Sequence, residues 1–437
     1  MVVSRGKSPN AQETFMQMAQ AAGLRSRLLV TLGLLILVRL GVFIPVPGID
    51  RVAFNQYLQS NSVGGVLGFV DIFVGGGLSA LGIFALGILP YINASIILQL
   101  LTAAIPALED LQKNEGEAGR RKLSQITRYV ALGWAVLQST LLSSFLLMQF
   151  ASEPGVPFIV ETVLALTAGS MFVMWVGELI TEKGVGNGAS LLIFVNIVSS
   201  LPRSLGQTID LAQSGDRSIV GGILILMLVF LAMIVGIIFV QEGTRRIPII
   251  SARRQVGRKL YLEKSNYLPL RLNQGGVMPI IFASAVLVIP ISLTQYIANP
   301  GFAQFVNTYF SPTSWLYVGL YLLLILFFSY FYASLIVNPE DMSRNLKKMG
   351  ASIPGIRPGK ATTEYIGKVL NRLTFLGAIF LGLVAVIPSA VESATRVQTF
   401  RGLGATSLLI LVGVAIDTAK QVQTYVISQR YEGMVKQ

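Results

Sequence analysis

Apolar runs of bilayer length recur along the chain, and no other feature restricts its fold so severely. A helix needs about 20 predominantly apolar residues to cross the hydrocarbon core. Inside that core every backbone N–H and C=O must be paired within the protein, which leaves helices for runs of this kind. Such runs fall at 28–44, 78–104, 127–150, 158–180, 189–201, 219–240, 277–293, 315–337, 373–387 and 405–426. Composition agrees: 53% of the 437 residues are hydrophobic and 13% charged, with a mean hydropathy of +0.66. A soluble domain would be about a quarter charged. The expected fold class is an all-α polytopic membrane protein with ten transmembrane helices. The first run follows a polar lead and shows no small-residue cleavage site before Pro45, so a span is expected there rather than a cleaved signal.

Ten spans place both termini on one side, and lysine and arginine decide which. Segments opposite the N-terminus hold only Arg51, Arg203, Arg217, Arg396 and Arg401. Arg39 lies inside the first run, toward its outer end, with no partner legible in the sequence. Every other basic residue falls on the N-terminal side, so both termini are expected in the cytoplasm. The expected segments are a cytoplasmic lead at 1–27, halves at 28–203 and 204–426, and a tail at 427–437.

The stretch 64–101 departs from an ordinary span. A short apolar segment, 66–74, precedes Gly75, Gly76 and Gly77. A long run follows with Pro90, Asn93 and Gln99 inside it. Interrupted segments survive at membrane depth only where they line a cavity or are covered by protein, so this stretch is expected to line a pathway.

An internal echo suggests two five-span halves. The fifth run is introduced by GNGASLLI from Gly186, the tenth by GLGATSLLI from Gly402. The second and seventh runs each follow a glycine cluster (Gly75–Gly77; Gly275 and Gly276) and carry a proline, Pro90 or Pro279. An odd number of spans per half inverts the second half, and broken spans at matching positions of inverted halves point to a central pathway. Chance similarity between small-residue-rich helices is the competing reading.

The chemistry available is narrow. The chain has no cysteine and no histidine, which removes disulfides, thiol and histidine catalysis, and the commonest transition-metal ligand. No paired carboxylates, phosphate loop or metal spacing stands out, so no catalytic residue, metal or cofactor is expected. A secondary transporter with inverted repeats is the alternative, but it would usually carry a charge near the membrane midplane, and the spans carry almost none. Glu178 and Asp417 lie near inner ends. A neutral pathway favours a passive conduit. Loops 243–275 and 338–372 are longer and more basic than topology alone requires, which suits an anionic docking partner such as ribosomal RNA or an acidic protein face.

Four stretches carry a resemblance: FALGILPYINASIILQLL from Phe84, EGEAGRRKLSQITRY from Glu115, MWVGELITEKGVGNG from Met174, and NPEDMSRNLKKMGASIPGIRPG from Asn338. In motif, order and spacing the chain resembles the SecY family, channel subunits of the Sec protein translocase, along essentially its whole length, with a leaning toward the cyanobacterial and plastid branch.

The resemblance implies two pseudo-symmetric, inverted five-helix halves around an hourglass pore, and the conduction of unfolded preproteins. Its waist would be Ile88, Ile92, Ile193, Ile281, Val286 and Ile410. A plug (64–77) would include Val66, Leu67, Phe69, Val70, Asp71, Ile72 and Phe73, hinged at Gly75, Gly76 and Gly77. Polar contacts at a lateral gate would come from Asn93, Gln138 and Asn273. Arg253, Arg254, Arg258, Lys259, Lys347, Lys348 and Arg357 match docking positions for the SecA ATPase or the ribosome. Implied partners are SecE-like and SecG-like subunits, SecA, the ribosome, preprotein signal sequences and the lipid bilayer. The implied location is the plasma membrane, with the thylakoid also open to a cyanobacterial protein.

Overall fold

The computed structural model describes residues 22–60, 71, 74–113, 116–213, 217–251, 255–256, 259–260, 266–280, 282–283, 286–287, 300–310, 314–395 and 405–435. They are helical apart from turns and five short strands. The chain forms two compact units, Met1–Gly206 with Val414–Gln437, and Gln207–Gly413.

The first unit contains α1 (Ala22–Gly41), α2 (Arg51–Ser60), α3 (Leu89–Ala104), α4 (Pro106–Lys113), α5 (Gly116–Leu141), α6 (Val156–Lys183) and most of α7 (Gly188–Gln213). Prolines punctuate it. Pro90 and Pro157 sit in first turns, where a missing N–H leaves no bond unmade. Ile105 is extended before Pro106, as the residue ahead of a proline is biased to be, and this breaks α3 from α4. α5 continues through a π-helical turn, Leu142–Leu147, and a 3-10 turn, Met148–Phe150. Val46, Phe54, Leu81, Leu147 and Leu166 share a buried apolar core, and Phe54 meets Phe150 edge to face at 5.4 Å.

The second unit holds α8 (Arg217–Glu242), α9 (Pro300–Tyr309), α10 (Trp315–Ile336), α11 (Pro339–Lys348) and α12 (Lys360–Thr395). Helix α13 (Ala405–Val435) begins in this unit and ends in the first. Strands β1 (Thr244–Ser251) and β4 (Asn266–Arg271) pair antiparallel, with Thr244 opposite Arg271 and Ile249 opposite Asn266. Strand β5 (Ala351–Ser352) pairs with residues 250–251 of β1, giving the order β4-β1-β5. A separate two-stranded pair joins β2 (Gln255–Val256) to β3 (Lys259–Leu260).

Among the described residues, 116–150, 156–183, 220–242, 315–348 and 360–388 are long and apolar enough to cross a membrane, with shorter apolar helices at 89–102 and 188–202. Two expectations need correction. The second run is not helical from residue 78: helix begins at Leu89, and residues 75–88 form a series of turns. The ninth helix begins at Lys360 rather than near 373. Its added turns bury Ile366, Val369 and Leu370 beside Leu373, an i, i+3, i+4, i+7 stripe packed on Ile247 and Ile249 of β1.

Candidate functional site

The turns at 75–88 are held by bonds to distant parts of the first unit. Asp71 Oδ1 accepts the N–H groups of Leu78 (2.8 Å) and Ser79 (2.9 Å), while its backbone carbonyl accepts from Gly76 (2.9 Å). Gly75 and Gly76 have φ of +71° and +86°, where a side chain adds strain. Arg39 Nη1 donates to the Gly75 carbonyl at 2.7 Å. Farther on, Val46 N–H donates to Leu81 O (2.9 Å) and Ile83 N–H to Ile44 O (2.9 Å), so this segment pairs with the chain leaving α1. A Cβ at Gly82 would strike the Val42 carbonyl oxygen. Leu81, 1% exposed, takes φ +48°, an outlier for a bulky residue that its burial and flanking bonds maintain. The three-glycine stretch is a tied turn rather than a slack connection.

Small residues on α6 bring this segment and the start of α7 close. A Cβ at Gly169 would run into the Ile83 carbonyl oxygen, and the Ser170 hydroxyl donates to Gly87 O at 3.0 Å. A Cβ at Gly177 would lie 3.2 Å from Ile88 Cδ1 and 3.4 Å from Leu192 Cδ1. Gly188, the first residue of α7, passes the Gly177 carbonyl too closely for any side chain. Ile88 precedes the first residue of α3 and is buried; Ile92 follows one turn later, also buried. Ile193 is buried near the start of α7. The contacts around Gly177 are all apolar or backbone.

In the second unit Ile410 is buried, five positions into α13, as Ile193 is into α7. Val286 is 38% exposed in a helical segment. Ile281 lies outside the described residues. Of the polar trio, Asn93 is half-buried on α3, and Gln138 Oε1 on α5 is buried without a hydrogen-bond partner among the described residues. Asn273 Nδ2 donates to Gly276 O at 2.8 Å, so it closes its own turn.

The described parts of the basic loops carry regular structure. Along β1, Ile247 and Ile249 are buried while Arg246, Pro248 and Ile250 are exposed, the period-two pattern of a strand covered on one face. On α11 the Asn338 side chain accepts Glu340 N–H at 2.9 Å, Pro339 opens the helix, Glu340 and Asp341 fall in the first turn, and Lys347 and Lys348 in the last. Cap, proline and charges all favour that polarity. The turn Ile353–Ile356 closes through Ile356 N–H to Ile353 O (3.1 Å), with Gly355 at φ +77° after Pro354. Thr362 Oγ1 donates to Arg357 O and Ser343 Oγ to Gly359 O, each at 2.9 Å. Arg357 is thus a cation on a braced turn.

The SecY family model matches residues 82–419, more than three quarters of the chain. The chain belongs to the SecY family. It is 72% identical to the protein translocase subunit SecY of Synechococcus elongatus over 440 residues, covering 100% of both chains. In fold it is similar to a solved protein-conducting channel (TM-score 0.64, 16% identity, 92% of each chain). It is also similar to canine Sec61 in a ribosome–channel complex from the endoplasmic reticulum (TM-score 0.59, 14% identity, 92% of each chain). The ten-span SecY architecture is therefore its fold, it is a multi-pass membrane protein, and its function is that of a translocase channel subunit.

Within this SecY-family chain the plug positions Val66, Leu67, Phe69, Val70, Ile72 and Phe73 lie outside the described residues, as do Arg253, Arg254 and Arg258. Lys259 lies on β3, Lys347 and Lys348 are exposed on α11, and Arg357 sits on the braced turn. Sequence reading did not single out Arg245, Arg246 and Arg271, which are exposed on β1 and β4 and add to the basic face. It also missed Ser170, Gly169 and Gly177, whose roles depend on contacts across the fold. Glu178 pairs with Arg128 Nε at 2.9 Å, a partner fifty residues away.

Proposed function

We propose that this chain conducts unfolded preproteins through a pore with an aliphatic waist and releases apolar segments sideways into lipid. The likeness to translocase subunits over the full chain carries the reading. Ile88, Ile92, Ile193, Ile281, Val286 and Ile410 form the waist. Branched aliphatic groups make no directional bonds, so they yield to any passing side chain, and a narrow apolar constriction tends to dewet and resist ions at rest. Residues 64–77 act as the plug. Asn93, Gln138 and Asn273 border the lateral gate, where transfer of ~20 apolar residues from water to lipid drives exit.

The chain hydrolyses nothing; translation or SecA supplies the work. SecE-like and SecG-like subunits complete the complex. The ribosome and SecA dock on the braced basic elements, through Lys347, Lys348 and Arg357 together with Arg253, Arg254, Arg258 and Lys259, extended by Arg245, Arg246 and Arg271. The canine Sec61 structure, part of a ribosome–channel complex, supports the first of these partners. The bias of basic residues supports cytoplasmic termini; the location is the plasma membrane, with the thylakoid also open to a chain with a cyanobacterial relative. Reconstitution with SecE-type and SecA partners tests the reading. ATP-dependent protease protection of a preprotein is expected; folded protein that gives none contradicts it.

A further inference from the structure

We propose that Arg39 is a latch that keeps the glycine turn at 75–79 closed while the pathway is at rest. The inference deepens the channel reading and rests on it for its functional meaning. An arginine in an apolar helix is costly unless partnered. Near the end of α1 it could serve its own helix, since a cation there suits the helix dipole. Instead its Nη1 reaches thirty-six residues along the chain to the Gly75 carbonyl, at 2.7 Å. The Phe43 ring lies 6.0 Å from the guanidinium carbon, within cation–π range.

Gly75 fits this role physically. Its φ of +71° disfavours a side chain, and a Cβ would meet Arg39 Nη1 and, at 2.6 Å, Asn196 Oδ1. Three elements, α1, the turn and α7, therefore meet at one peptide group. The other tether is Asp71, whose carboxylate and carbonyl hold Leu78, Ser79 and Gly76. Both tethers are polar bonds outside the apolar core beneath them, so they can break and re-form while that core stays packed. Val74 lies under the closed turn, 1% exposed, with its methyl carbons against Gly77 and Gly87. Opening the turn uncovers Val74. Arg39 is a positioning residue: it acts on the seal through Gly75 and does not touch the passing chain.

The absence of native cysteine makes the test direct. Val74→Cys supplies a single buried thiol, whose reaction with a membrane-impermeant maleimide reports opening of the turn. In purified full-length protein with its partner subunits, Arg39→Gln is expected to speed labelling about tenfold, the scale on which losing a charge-assisted hydrogen bond shifts a two-state population. Arg39→Lys, which keeps the cation, should label close to the parent rate. Equal labelling rates with and without Arg39→Gln overturn the latch. So does Arg39→Lys labelling as fast as Arg39→Gln, because packing rather than charge would then matter. If the first variant folds poorly, amide hydrogen exchange at Gly76, Leu78 and Ser79, whose N–H groups Asp71 accepts, reads opening of the same turn, and equal exchange rates with and without Arg39→Gln likewise overturn the latch. Labelling needs no preprotein, so a failed latch is distinguishable from a failed channel reading, which translocation alone tests.

Discussion

The buried hydroxyl of Ser170 on α6 donates to the carbonyl of Gly87 at 3.0 Å, fixing the residue just before Ile88. Gly87 has φ +51°, a left-handed conformation two residues before α3 begins, and its carbonyl is taken by α6. Ser170→Ala leaves a buried carbonyl without that donor. A loss of about 1–3 kcal/mol follows for an unsatisfied buried group, read as a lower thermal midpoint in detergent. Resting ion leak should rise with it, because the mount of Ile88 loosens.

Gly177 predicts the opposite kind of damage. Ile88 Cδ1 and Leu192 Cδ1 lie 3.2 and 3.4 Å from its missing Cβ. Gly177→Val therefore overpacks the junction, at about 1–3 kcal/mol. Gly206 on α7 meets nothing within 4 Å, so Gly206→Ala should be neutral or stabilising by roughly 0.5–1 kcal/mol, the helical preference of alanine over glycine. Unfolding midpoints measured side by side separate the two sites.

Replacing Ile88, Ile193 and Ile410 with serine, singly and together, should raise resting conductance in planar bilayers. A hydroxyl wets a constriction that aliphatic groups keep dry. Each is at most 5% exposed, so folded yield is measured alongside. Unchanged conductance in the folded triple variant counts against the assigned waist.

On the basic face, Arg357→Ala should lower SecA-driven transport severalfold with span topology intact. Thr362→Val removes the hydroxyl bonded to the Arg357 carbonyl and should act in the same direction, more weakly. Asn338→Ala loses the cap of α11, worth about 1 kcal/mol. It should loosen Lys347 and Lys348 and reduce docking affinity. Binding of SecA to reconstituted vesicles at several salt concentrations checks all three.

Much of this architecture is legible in the sequence because lipid imposes a simple rule, that spans read as apolar runs; Pro90, taken as lying inside such a run, instead falls in the first turn of α3. Hydropathy misjudged the stretch from Leu78 to Ile88 because those residues are apolar without being helical. Their conformation depends on bonds to Val46, Ile44 and Ser170, none of them local. The inward start of α12 was hidden for a related reason. Ile366, Val369 and Leu370 form a stripe, not a continuous apolar run, and their partners Ile247 and Ile249 sit on a strand over a hundred residues earlier. Arg39 was visible as an anomaly, but Gly75 as its acceptor was not, since a backbone carbonyl leaves no mark in the sequence.

The most direct test of protein conduction uses single cysteines in the otherwise cysteine-free chain. A preprotein arrested midway through the reconstituted complex carries a thiol-reactive cross-linker at the stalled position. Ile193→Cys and Ile410→Cys should form adducts with it, while Leu164→Cys, 65% exposed on the outer surface of α6, should not. Adducts at 164 equal to those at 193 and 410, or none at 193 and 410 while transport proceeds, would contradict the account.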